Sequence, residues 1–138
     1  GSDHGGYALK QAVIKHLEDK GYAVKDYGCY SEESCDYPVY AKAVANAVKD
    51  GKVEKGILIC GTGIGISITA NKIKGIRAAL CSDTFSAHAT REHNDANILA
   101  MGARVVGEGL ALDIVDTFLE TEFSNDERHI RRINQIED

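Results

Sequence analysis

Apolar positions recur along this chain in two alternating rhythms. Ala8, Leu9, Ala12, Val13, His16 and Leu17 follow the i, i+3, i+4 spacing of a helix with one buried face, and Gly21 is placed to stop it. The segment "YAVKDYG" is short, partly β-branched and closed by Gly28, which predicts a strand. A polar loop follows from Cys29 to Asp36. Pro38, the only proline, fits the first turn of a second helix, which is expected to carry Val39, Ala43, Val44, Ala47 and Val48 inward. "GILIC" suits a strand buried on both faces, and a helix should follow it, starting near Ile64 and ending by Gly75. "IRAALC" predicts a further strand, "DTFSAHATREH" a helix capped by Asp83, and "NILAMG" another strand. Gly107 to Phe123 has the periodicity of a long helix. A last helix, about 125–137, starts with Asn125 or Asp126 as cap.

Strand and helix alternating at this spacing imply parallel crossovers and a sheet covered on both faces. The expected fold is a three-layer, doubly wound α/β domain spanning residues 1–138, with a Rossmann-like parallel sheet. Such a sheet should open on a strand, yet the sequence opens on "GSDHGG", which reads as the loop after one. A first strand upstream of the given residues is therefore expected.

Composition narrows the function. A formal net charge of −5 argues against a general nucleic-acid or membrane-surface binder. No apolar run reaches the ~20 residues of a membrane span, and no signal peptide is visible. Cys29, Cys35, Cys60 and Cys81 include no CxxC pair, so a reduced, cytoplasmic protein is expected, with neither zinc nor a disulfide framework.

Chemistry concentrates in "GILICGTGIGISITANK", from Gly56 to Lys72. Ligands of open parallel sheets bind beyond the carboxyl ends of the strands, where a following helix presents free amides to an anion. Gly61, Gly63 and Gly65 lie at such an end. Their spacing is neither the GxGxxG of a dinucleotide site nor a P-loop, since Ile66 falls where a glycine is needed and no Lys-Ser or Lys-Thr follows. A loop chosen only for close helix–strand packing explains the glycines about as well. Cys60 tips the balance, because a thiol beside a glycine nest and a helix start makes a usable base or nucleophile. Cys81, in a strand without glycines, reads as core. His16 reads as structural and His88 as helix surface. His4 lies at the ligand edge, and His93 with Asn94 lies where a helix hands over to a strand. Arg128 and Arg132 share a helix face. Taken singly, each of these reads as structural ahead of catalytic, and the two arginines as a solvated basic face.

Together, "SDHGG", "DYP", "ICGTGIGISITANK", "REHNDANILAMGARVVG" and "ERHIRR" resemble, in order and over essentially the whole chain, the type B ribose-5-phosphate isomerases. That family also includes isomerases of six-carbon sugar phosphates. The resemblance implies cofactor-free, metal-independent interconversion of ribose 5-phosphate and ribulose 5-phosphate through an enediolate. By position Cys60 matches the family's thiolate base and Thr62 the hydroxyl that supports it. The amides of Gly61, Gly63, Ile64 and Gly65 match the oxyanion cradle. His93 matches the ring-opening acid–base and Asn94 a contact to a substrate oxygen. Asp3 matches a contact to the sugar hydroxyls, and His4, Arg104, Arg128 and Arg132 match phosphate contacts. Another branch of the family uses a glutamate where this chain has Ile66, so the cysteine branch is the closer one. Glu127 departs from the family, which often has a small residue there. The resemblance further implies a homodimer or homotetramer whose sites combine residues of two subunits.

Allose or galactose 6-phosphate remains open as the substrate, because phosphate and enediolate machinery would be shared. The rival from another class is a non-catalytic nucleotide-binding module on the same sheet.

Overall fold

The computed structural model describes residues 1–138. Helix α1 (Tyr7–Asp19) follows a single 3-10 turn, His4–Gly6, and helix α2 (Tyr37–Lys49) follows the polar loop. Then come strand β1 (Gly56–Cys60), helix α3 (Ile64–Ala70), strand β2 (Ala78–Leu80), helix α4 (Thr84–Asn94) and strand β3 (Ile98–Gly102). Helices α5 (Glu108–Glu120) and α6 (Glu127–Glu137) close the chain. Punctuation follows the residue chemistry. Gly21 takes a φ of 89° after α1, Asp83 accepts the Ser86 amide at the start of α4, and Asp126 accepts the Arg128 amide at the start of α6.

The sheet is parallel, in the order β1-β3-β2. Register pairs Gly56 with Ile98 and Cys60 with Gly102, so Cys60 stands at the carboxyl edge. Residues 1–3 run alongside β1, with Ser2 bridging Ile59. On their far side Ser2 donates to the Gly28 carbonyl at 2.7 Å, and Cys29 donates back to Ser2 at 2.8 Å. Alternation along the strands divides the core into two layers. Ile59, Leu99 and Met101 face α1, α4 and α5 through Val13, Ala87 and Phe118. Leu58, Cys60, Ile98 and Ala100 face α2 and α3 through Val44, Ala45 and Ile66. The expected three-layer, doubly wound architecture is what forms. No helix is long and apolar enough to cross a membrane.

Three sequence expectations need correction. "YAVKDYG" forms no regular strand, because only its last residue, Gly28, and Cys29 beside it bond to the short stretch at residues 1–3. Val39 is 61% exposed; Val44 and Ala47 face inward as expected, joined by Ala41 and Ala45, and Val48 packs partly buried against them. Ala8 is also exposed, while Lys10 turns inward and pairs with Asp26 at 2.7 Å.

Candidate active site

At the carboxyl edge of the sheet, Cys60 lies buried beneath the glycine loop, and its sulfur accepts the Gly63 amide at 3.1 Å. The loop is tied back to β3 by Ala103 donating to the Cys60 carbonyl at 2.8 Å and Arg104 donating to the Gly61 carbonyl at 3.0 Å. Thr62 is exposed, and its Oγ1 accepts the Ile64 amide at 3.2 Å. The Gly61 and Thr62 amides find no acceptor within the chain, which leaves two donors for an incoming oxygen.

Each glycine answers a different demand. Gly63 has a φ of 78°, and a Cβ there would stand 2.5 Å from Leu80 and 2.7 Å from the Met101 backbone. A Cβ on Gly65 would stand 2.5 Å from the Tyr37 ring. The protein itself thus requires two of the three, as the packing explanation holds. At Gly61 the close neighbour is the Arg104 guanidinium, 3.6 Å from where a Cβ would be.

Asp3 and His4 join this edge. A Cβ at Gly5 would lie 3.4 Å from Asp3 Oδ1 and 3.5 Å from the Gly61 nitrogen, so carboxylate and free amide converge on one spot. Asp3 is buried, and Oδ1 also accepts the Gly6 amide at 3.1 Å. His4 Nδ1 accepts the Cys35 amide at 3.2 Å, which leaves its Nε2 side available. Cys60, Gly61, Thr62, Gly63, Ile64, Asp3, His4 and Arg104 therefore form one group.

His93 and Asn94 belong to another. They end α4, which runs back against the strands, and Arg77, immediately before β2, donates to the Asn94 carbonyl at 2.9 Å. That contact fixes them at the amino edge of the sheet, roughly 15 Å from Cys60 across a five-residue strand. Asn94 lines a cavity of about 640 Å³ together with Lys72, Lys74 and Arg77. Arg128 and Arg132 are exposed on α6, whose inner face is Ile133 and His129. Arg128 reaches Asp126 only at 3.6 Å. The Asp126 carboxyl is held below the usual carboxylate range, first by the Arg128 amide it accepts. Within one chain, base and ring-opener candidates stand at opposite edges.

Another cavity, about 600 Å³, is lined by Val13, Leu17, Val24, Tyr27 and Ile57 and contains none of the candidate residues. Cys81 is core, as expected: burial, and secondarily the Asp83 carboxylate, push its thiol up to about 11. His16 bonds Asp116 at 2.8 Å, and His88 pairs on the surface with Glu92. Sequence reasoning missed His129, whose ring lies against His93. Its spacing four residues before Ile133 marks both as the inner face of α6.

The sequence matches the Ribose/Galactose Isomerase family over residues 1–136. It is 52% identical over 136 residues to the ribose-5-phosphate isomerase B of Escherichia coli, covering 99% of this chain and 91% of that one. It is 47% identical over 124 residues to a D-erythrulose-4-phosphate isomerase of Pectobacterium atrosepticum, covering 89% and 82%. Among solved structures, ribose-5-phosphate isomerase B of Clostridium thermocellum superposes with a TM-score of 0.98 at 56% identity, covering 99% of this chain and 92% of that one.

Proposed function

The chain belongs to the ribose/galactose isomerase family, and from that membership we propose that it interconverts ribose 5-phosphate and ribulose 5-phosphate through an enediolate. The observation that carries the reading is Cys60, with its sulfur accepting the Gly63 amide at 3.1 Å beside the unpartnered amides of Gly61 and Thr62. The Cys60 thiolate takes the proton from C2 of the open aldose. The electron pair moves into the C1–C2 bond, and the carbonyl oxygen at C1 gains negative charge. Amides already aimed at that oxygen stabilise the charge without reorganising, and losing one such donor typically costs ~10²–10³ in turnover. Cys60 then returns the proton to C1 while the O2 proton passes to O1, which gives the ketose. Thr62 supports the sulfur, and Asp3 holds sugar hydroxyls next to the Gly61 amide.

Ring opening comes first, since ribose 5-phosphate is a furanose in water. In this reading His93 moves the proton between the C1 hydroxyl and the ring oxygen, and Asn94 steadies a substrate oxygen. His93 cannot serve the Cys60 of its own chain from the opposite sheet edge, so a second copy supplies it. Exposed Ile64, Ile68, Leu80 and Phe85 support this arrangement, because they give a partner an apolar surface beside the Cys60 loop. His4 and Arg104 from one copy and Arg128 and Arg132 from the other hold the phosphate, arginine by paired, charge-assisted bonds.

The test is an isomerisation assay with ribose 5-phosphate, allose 6-phosphate and galactose 6-phosphate side by side. The five-carbon sugar should give the highest kcat/KM. A preference for a six-carbon aldose phosphate would replace the substrate but keep the chemistry. No turnover of any of the three would leave a non-catalytic binding module.

A further inference from the structure

His129 has no part in the chemistry described so far, yet it is a buried polar ring, 6% exposed, at the contact between α6 and α4. An apolar side chain would fill that contact without needing a hydrogen-bond partner. Its ring lies against the ring of His93, with centroids 4.5 Å apart and planes inclined by 37°. Ser124 Oγ stands 2.7 Å from His129 Nδ1 and also accepts the Asp126 amide at 3.1 Å. The Ser124 amide in turn donates to the carbonyl of Glu92, the residue before His93, at 3.1 Å. These links close a circuit from the Glu92 carbonyl, one peptide bond before His93, through Ser124 and the His129 ring, back to the His93 ring. His93 is an exposed side chain on the last turn of a helix, and without the stack it would be free to sample several rotamers.

We propose that His129 is a positioning residue for His93, fixing its ring in the plane from which it opens the furanose. The inference rests on the reading of His93 as ring-opener. It adds that α6 is one rigid element with two tasks: Arg128 and Arg132 face the phosphate outside, and His129 supports the ring-opener inside. Ser124 sets the angle of the His129 ring.

Two readouts separate positioning from general structural support. One is turnover of cyclic ribose 5-phosphate. The other is exchange of the C1 proton of ribulose 5-phosphate with deuterated water, which needs no ring opening because C5 carries the phosphate. His129→Ala should slow the first about ten- to hundredfold, the size expected when a reacting group is misplaced by a fraction of its length. Proton exchange should stay within about twofold of the parent. His129→Phe keeps a ring in the stack and should recover part of the loss. Ser124→Ala should show a smaller loss with the same bias. In a His93→Asn background, His129→Ala should add nothing further.

Equal losses in both readouts, or full additivity in the double variant, would overturn the proposal. If His129→Ala does not fold, Ser124→Ala and His129→Phe decide, and a parent-like ratio of the two activities in Ser124→Ala overturns it. A His93→Asn variant that itself shows no bias toward the open sugar would instead refute the ring-opener reading. A biased His93→Asn with an unbiased His129→Ala would refute this inference alone.

Discussion

The Cys60 sulfur accepts the Gly63 amide at 3.1 Å, and the contact forms because Gly63 turns the chain left-handed at a φ of 78°. Any side chain there meets Leu80 and the Met101 and Gly102 backbones at under 3.0 Å. Gly63→Ala should therefore lose about 2–4 kcal/mol, from the left-handed backbone and the overpacking together. Denaturant unfolding measures that loss, and turnover should fall at temperatures where the variant is still folded. Unchanged stability would mean that the loop relaxes freely and does not hold Cys60.

Cys60→Ser keeps the shape of the base but gives a hydroxyl far less acidic than a thiol. On the proposed mechanism turnover should collapse while KM changes little, because the side chain would act on the proton and not on phosphate binding. A variant with near-parent kcat would place the base elsewhere.

Cys81 supplies a pH-dependent contrast. Its folded thiol is raised to about 11 from an ordinary value of 9.0, by burial first and by Asp83 second. Between those values the unfolded chain releases a proton that the folded chain keeps. The contribution is thus fully present below pH 9 and is lost as the pH rises toward 11. Over that window the parent should lose about 3 kcal/mol more stability than Cys81→Ala. Parallel stability curves for the two proteins would contradict the assigned burial of the thiol.

Much of the architecture was legible because burial leaves a periodic trace. β1 and β3 are apolar on both faces, and α4 carries both its cap and its inner face in sequence. The segment "YAVKDYG" misled because β-branched residues report a liking for extended backbone, not the presence of a neighbour to bond. Val39 and Ala8 misled because one apolar residue on a helix flank does not say which flank is covered. In the glycine loop, sequence left packing and ligand binding about even, and the structure shows packing demands at Gly63 and Gly65. The distance between Cys60 and His93 was beyond any local pattern, since it depends on α4 running back to the other edge of the sheet.

The phosphate reading of α6 makes a separate demand. Replacing Arg128 or Arg132 by Ala removes a charge-assisted bond of about 1.5–3 kcal/mol, so inorganic phosphate should inhibit about tenfold to hundredfold less potently. Lys at either position should recover only part, because it keeps the charge but loses the planar fork. Unchanged phosphate inhibition in both alanine variants would leave these arginines as a solvated basic face.

The central claim is that one active site takes Cys60 from one copy and His93 from another, and subunit complementation tests it most directly. Cys60→Ser and His93→Asn, each weakly active alone, are mixed under conditions that exchange subunits, and mixed dimers are verified by mass spectrometry. Half of the sites in a mixed dimer then hold two intact residues, so activity should rise to about a quarter of the parent value. Activity that stays at the sum of the two separate variants, with mixed dimers present, would contradict the shared site.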